Sequence, residues 1–266
     1  MVRQVLMAMC VIGICESGAM ADLIVAVPEQ RSVEDFSLFT GAGFSANPAN
    51  GQLDSTTWRV GGFTDGTLSY GGTGVTGDFA RGKSSGGVTS GGLYAFQVAT
   101  GDWAMGVQAT GTDFNPGFIE LRILNQTGLP IDRWEVGYDL YTRNDQSRSS
   151  SWDLAWSLDG LAFTTLGDAR YLSPDAATST VFEKNSFAWA LQVNVPDASK
   201  LYLRWSSADF GGTGSRDEFA LDNVSLWGAA SATSTPEPGT FVLTGVAGIA
   251  LWGYRRLRKK PRIYTD

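Results

Sequence analysis

Several stretches of the chain alternate apolar and polar residues with a period of two, which is typical of β-strands that bury one face. In the clearest of them, Ile119, Leu121 and Ile123 alternate with Glu120 and Arg122. The other alternating runs have these apolar positions: Trp134, Val136, Tyr138 and Leu140; Trp152, Leu154, Trp156 and Leu158; Phe187, Trp189, Leu191, Val193 and Val195; Leu201, Leu203 and Trp205. Weaker strands are predicted near Trp58, Leu68, Tyr94 and Val107. The pattern predicts an all-β domain of about ten strands in two packed sheets.

Four Gly-Gly pairs interrupt the stretch from Val60 to Leu93. A disordered linker is one interpretation of this composition. The intervening residues are too apolar for that, since they include Phe63, Tyr70 and Phe79. We therefore predict long surface loops between short strands here.

The composition excludes several kinds of chemistry. The chain has no histidine, and its two cysteines, Cys10 and Cys15, both lie near the N-terminus. Disulfides, zinc sites built on Cys or His, and histidine-dependent triads are therefore not expected in the main domain. Between residues 22 and 235, 24 acidic residues outnumber 13 basic ones, a net charge of −11. Such a domain is a poor partner for nucleic-acid phosphates, and we predict no nucleic-acid binding.

Both ends of the chain carry targeting signals. Residues 1–21 have a basic start at Arg3, an apolar core and a small-x-small pattern at Ala19 and Ala21, which predict a signal peptide cleaved after Ala21. Residues 22–228 would form the exported domain, and residues 229–238 a linker. The uncharged residues 239–254 predict a single transmembrane helix. A basic tail, residues 255–266, should keep that end in the cytoplasm through Arg255, Arg256, Arg258, Lys259 and Lys260.

A buried C-terminal helix of a soluble protein is the alternative, which the basic cluster directly after the uncharged run disfavours. The linker contains Pro236, Glu237 and Pro238. This motif, the short apolar segment and the arginine cluster together resemble the PEP-CTERM sorting signal of exported bacterial proteins, over about 27 of 266 residues. The resemblance implies that an exosortase, a membrane transpeptidase-like enzyme, cuts the tail near the motif and releases the domain to the cell surface or matrix.

A second resemblance concerns the domain itself. The opening Glu34-Asp35-Phe36 and the closing stretch Leu221–Leu226 are similar to segments of jelly-roll sandwiches, including concanavalin-like, MAM-like and carbohydrate-binding modules. The resemblance implies a two-sheet jelly-roll β-sandwich whose first and last strands pair. It also implies a structural calcium at Glu34 and Asp222, with Asp35 and Asp217 as the next choices. The alternative is that Asp222 only hydrogen-bonds a neighbouring backbone amide.

The function that these observations favour is a non-catalytic, structural or adhesive protein of the bacterial envelope or matrix. A carbohydrate-binding module, with or without calcium, is the alternative, and its candidate stacking residues are Trp103, Tyr141, Tyr171 and Tyr202. A hydrolase would need two convergent carboxylates. The candidate pairs are Asp132/Glu135 and Asp217/Glu218, but no catalytic signature surrounds them, so we expect no enzyme and no cofactor other than that calcium.

Overall fold

The computed structural model describes residues 23–230, which form fifteen strands and one 3₁₀ turn, Gly77–Phe79. The predicted signal peptide, sorting motif, transmembrane helix and basic tail lie outside these residues. Within the described part, no helix is long and apolar enough to cross a membrane. The strands are β1 (Leu23–Val25), β2 (Ser32–Glu34), β3 (Phe44–Ser45), β4 (Leu53–Asp54), β5 (Trp58–Gly61), β6 (Lys83–Ser84), β7 (Gly92–Ala99), β8 (Asp102–Gln108), β9 (Gly117–Asn125), β10 (Ile131–Arg143), β11 (Arg148–Ser157), β12 (Thr164–Leu172), β13 (Glu183–Val195), β14 (Lys200–Gly212) and β15 (Glu218–Ala229).

Two large sheets account for most of the strands. The first sheet has the order β1-β9-β14-β11-β12, with β5 also paired to β9. The second has the order β13-β10-β15-β8-β7-β6, with β2 also paired to β15, and β3 and β4 form a small separate pair. The first strand, β1, pairs with β9, and the strand that lies beside β15 is the second one, β2, with Glu34 opposite Val224.

The apolar phases of the two sheets face each other and form the core. Trp152 of the first sheet stacks on Phe219 of the second, with ring centroids 5.5 Å apart. Trp205 and Tyr138 meet edge to face across the same interface at 5.6 Å. The tryptophans Trp134, Trp152 and Trp205 are fully buried. The all-β sandwich that the alternating pattern predicts is therefore confirmed.

The glycine-rich segment is ordered into loops, as predicted, because its apolar side chains enter the core. The ring of Phe63 packs edge-on against that of Phe79, with centroids 5.8 Å apart, and lies tilted against that of Phe114, with centroids 5.4 Å apart. The strand predicted near Leu68 is wrong, although Leu68 is buried. Phe63 and Gly66 close a tight turn, after which the Leu68 amide donates a hydrogen bond to the Val60 carbonyl at 2.9 Å. The residues around Leu68 do not continue this pairing as a strand.

A bulge in β15 matters for the surface of the second sheet. Gly137 of β10 lies opposite Ser225, but Asp139 lies opposite Asp222, so β15 has one residue more than its partner at this point. The extra residue is Asn223, with a φ of 49°. A bulge of one residue reverses the alternation that follows it. Leu221 and Val224 therefore both point into the core, and Asp222 points outward.

Candidate functional site

A groove of about 500 Å³ crosses the outer face of the second sheet over β13, β10 and β15. Its floor is a row of small residues, Ala188, Gly137 and Ser225, which are direct cross-strand partners. A Cβ atom added to Gly137 would lie 2.6 Å from the Ser225 hydroxyl oxygen. The depth of the groove at this row therefore depends on the absence of a side chain at Gly137.

One wall of the groove is a guanidinium–carboxylate pair. Arg31 donates through Nη2 to Glu135 Oε2 at 2.7 Å and through Nη1 to Ser225 Oγ at 3.3 Å. The two charged side chains are 46% and 53% exposed, so each still presents polar atoms to solvent. Trp227, which is half-buried, lies directly opposite Glu135 on the neighbouring strand β15. An exposed ion pair of this kind contributes little to stability, about 0–1 kcal/mol.

The opposite wall is built around Asp139. Its carboxylate accepts from Ser186 Oγ at 2.5 Å, from Asn223 Nδ2 at 2.9 Å and from Lys184 Nζ at 3.5 Å. The bulge brings Asn223 into this position. Asp139 follows Glu135 by four positions of an extended strand, so the two walls are about 13 Å apart along β10.

Behind this wall lies a second carboxyl. Asn223 Nδ2 also donates to Asp222 Oδ2 at 3.0 Å and so bridges the two aspartates. Asp222 is only 1% exposed, and its Oδ1 has no partner in the described protein. Burial raises the pKa of Asp222 to about 7, with the negative charges of Asp102, Asp139 and Asp35 adding to the effect.

The predicted pair Asp217/Glu218 does not offer the arrangement that a hydrolase needs. Two carboxyl groups must reach a bound substrate from opposite sides of the scissile bond. Asp222, Asp217 and Glu218 are fully buried, so a polysaccharide could not contact them. Glu135 is exposed but is paired with Arg31.

The two predicted calcium ligands, Glu34 and Asp222, point to opposite sides of the second sheet. Glu34 lies directly opposite Val224 and, like it, points towards the core. Glu34 Oε1 accepts a hydrogen bond from the Phe36 amide at 3.2 Å. Asp222 faces outward because of the bulge. Asp35 accepts from the Ser37 amide at 3.0 Å, and Asp217 accepts from the Gln146 amide at 3.2 Å. No group of three or more acidic, histidine or cysteine side chains within residues 23–230 is arranged to hold a metal ion. The residues do not fit a shared calcium.

The four candidate stacking residues lie away from the groove. Tyr141 is buried in a small apolar cluster with Tyr94 and Phe96 on the outer face of the second sheet. The other three are half-buried: Trp103 lies beneath the Lys83 ammonium at 3.9 Å, Tyr171 meets Phe187 edge-on, and Tyr202 packs near Tyr70.

The alternating pattern did not identify the residues that form the groove, because they come from separate strands and a loop. One sequence signal was present. Gly137 interrupts an otherwise regular strand pattern, and such a glycine often marks the close approach of a ligand or another backbone.

No protein-family model matches the chain, and no curated protein matches it. Among solved structures, it is similar to the K1 cleaved adhesin domain of Lys-gingipain from Porphyromonas gingivalis W83, with a TM-score of 0.41 and 12% identity over 76% of this chain and 99% of that domain. It is also similar to the xylan-binding module CBM15, with a TM-score of 0.37 and 10% identity over 76% of this chain and 97% of the module. A third similarity, to the arabinose-bound α-L-arabinofuranosidase MgGH51, has a TM-score of 0.35 and 10% identity, and covers 53% of this chain but only 22% of that enzyme. Similarities at this level assign neither a ligand nor an activity.

Proposed function

We propose that the domain is a non-catalytic carbohydrate-binding module and that a polysaccharide lies in the groove over Gly137. The observation that carries this proposal is the row of small residues between two hydrogen-bonding walls. Sugar hydroxyls both donate and accept hydrogen bonds. Arg31 supplies donors, and the carboxylates of Glu135 and Asp139 supply acceptors, each oriented by a protein partner.

The position of the groove suits a chain rather than an isolated sugar. Ala188 lies on β13, the terminal strand of the second sheet, so the floor runs out to an open edge. At its other end Ser225 lies opposite Val33, which is exposed. A saccharide chain could cross the strands along this row and leave the sheet at β13.

The groove is tested by filling its floor. We expect Gly137→Ala to weaken polysaccharide binding at least about tenfold, which is ~1.4 kcal/mol, because the new methyl group displaces the Ser225 hydroxyl. Binding would be measured by affinity electrophoresis and calorimetry with β-glucan, xylan, mannan and polygalacturonate.

The matched control is Gly167→Ala on the exposed strand β12, where an added Cβ meets no atom within 4 Å. It should bind as the wild type does. Equal binding by the wild type and Gly137→Ala would contradict the assignment of the groove, provided that both proteins have the same melting temperature.

The predicted targeting signals would carry this module out of the cytoplasm. Exosortase-like processing at Pro236, Glu237 and Pro238 would leave the module at the cell surface or in the matrix, where a polysaccharide partner is available.

We expect the intact mass of the protein from its own cells to lack residues 1–21 and the tail beyond the motif. A variant with all three motif residues changed to alanine should keep its tail and stay in the membrane; a full-length tail in the wild-type protein as well would mean a plain membrane anchor.

A further inference from the structure

The outer edge of β13 is the longest open strand edge in the described part of the molecule. β13 has 13 residues, and within residues 23–230 its strand neighbour is β10 alone. Its pairing with β10 keeps one register from Glu183 to Gln192. Over this stretch the backbone amides and carbonyls that point away from β10 are open to another extended chain, which can add to the sheet in the same antiparallel pattern.

The strands at the other three ends of the two sheets are protected against such pairing. β1 has only 3 residues and β6 only 2. β12 is longer, but it carries the exposed charges Asp168 and Arg170 and changes register against β11. Short strands, charges and irregularities of this kind keep sheet edges from joining other chains. β13 has no charged residue from Asn185 to Val195, and its own register shift comes only after Gln192. The middle of β13 is therefore an unprotected edge.

The side chains of β13 leave room for a neighbouring strand. On the outer face of the sheet, Ser186, Ala188 and Ala190 are small and exposed. On the opposite face, Phe187 and Trp189 stack with ring centroids 6.4 Å apart but are only half-buried. A strand added at this edge would cover part of these rings. The edge therefore suits an extended chain with small residues on one face and apolar residues on the other.

A second copy of β13 meets this description. When two copies pair antiparallel with Ala188 on the two-fold axis, Phe187 of one copy lies opposite Trp189 of the other, and aromatic cross-strand pairs of this kind are stabilising. Lys184 then lies opposite Gln192, so no like charges meet across the new ladder. The net charge also favours this edge. Residues 22–235 carry a net charge of −11, so two copies repel each other least where they meet through an uncharged segment.

We propose that the protein forms a dimer in which two copies of β13 pair antiparallel about Ala188 and join their second sheets into one. Such an interface is closed and symmetric, as in most homo-oligomers. The inference does not depend on what the groove binds. It would place the two groove floors end to end, because Ala188 also ends the row that contains Gly137 and Ser225.

The test is sedimentation velocity of the full chain at protein concentrations from about 1 to 100 µM, where we expect a monomer–dimer equilibrium. Ala188→Lys places two lysines opposite each other at the axis and should weaken dimerisation at least about tenfold. Ala188→Glu should do the same with two carboxylates. An equimolar mixture of the two variants should dimerise again, because lysine then faces glutamate. Recovery in the mixture also shows that both variants are folded.

The matched control is Gly167→Lys on the exposed strand β12, where an added Cβ meets no atom within 4 Å. It should dimerise as the wild type does. A wild-type protein that is monomeric at every concentration would overturn the inference. So would an Ala188→Lys variant that dimerises as the wild type does, or a mixture that stays monomeric while both variants keep the wild-type melting temperature. Polysaccharide binding is measured separately, so a monomeric protein that binds would refute the dimer and leave the proposed function standing.

Discussion

Replacing Arg216 with alanine is expected to lower the free energy of unfolding by about 3–5 kcal/mol. Arg216 is 2% exposed and enters the core just before β15. It donates to Ser150 Oγ at 2.9 Å, to the Phe114 carbonyl at 2.9 Å and to Ser207 Oγ at 3.2 Å. It thus ties the start of β15 to two strands of the opposite sheet, and alanine would leave a void and three buried acceptors without their donor.

The charge of Arg216 has a cost of its own. Burial lowers the pKa of its guanidinium to about 10, although Asp209 acts against this, and the group is still charged at neutral pH. Arg216→Met removes the charge but keeps most of the volume, so it should lose less stability than Arg216→Ala.

Urea unfolding at pH 7 would measure both variants, with Arg170→Ala as the control. Arg170 is half-exposed and pairs with Asp153 on the surface, so its loss should cost less than about 1 kcal/mol. If Arg216→Ala cost no more than Arg170→Ala, the three hydrogen bonds would not be what joins the sheets at this end.

The domain should become less stable as the pH rises from about 4 to about 7, by about 2–4 kcal/mol. Three carboxyls near the start of β15 are fully buried, and burial raises the pKa of Asp217 to about 6 and those of Glu218 and Asp222 to about 7. In the unfolded chain these groups ionise near pH 4. Between the two values the folded state binds more protons than the unfolded state, so raising the pH favours unfolding.

Asp222→Asn isolates one of these groups. We expect it to raise the free energy of unfolding by about 1–2 kcal/mol at pH 8 and to have little effect near pH 4, where the wild-type carboxyl is already protonated. Asp168→Asn, at an exposed position of β12, should change neither value. Urea unfolding at both pH values would measure these changes. Repeating the unfolding with and without EDTA would also test the calcium expectation. A calcium-dependent gain in stability that Asp222→Asn abolishes would show that Asp222 holds a cation.

The central strands were predictable because their physics is local. Each central strand has one buried face, so its apolar residues occupy every second position of the sequence. Trp134, Trp152 and Trp205 are buried examples from three different strands. One edge strand, β12, lacks that pattern. β12 runs Thr164–Leu172 with only Ala169 fully buried, and no alternation marks it in the sequence.

The groove could not be predicted, because it depends on register between distant segments. Ala188, Gly137 and Ser225 are remote in sequence and become neighbours only through pairing of β10 with β13 and β15. The geometry of the predicted calcium pair, Glu34 and Asp222, also depends on register. In a regular strand Asp222 would share the direction of Val224, and hence of Glu34. The bulge at Asn223 reverses that relation.

The same bulge decides how the final strand would respond to the loss of a single residue, which substitution does not reveal. Because side chains alternate with a period of two, removing Asn223 would leave Leu221 and Val224 at alternate positions of a regular ladder, with both still pointing into the core. The core would keep its side chains, but the amide that bridges Asp139 and Asp222 would be lost. Related sequences that keep this fold could therefore lack the residue at Asn223, and they would then lack this bridge as well.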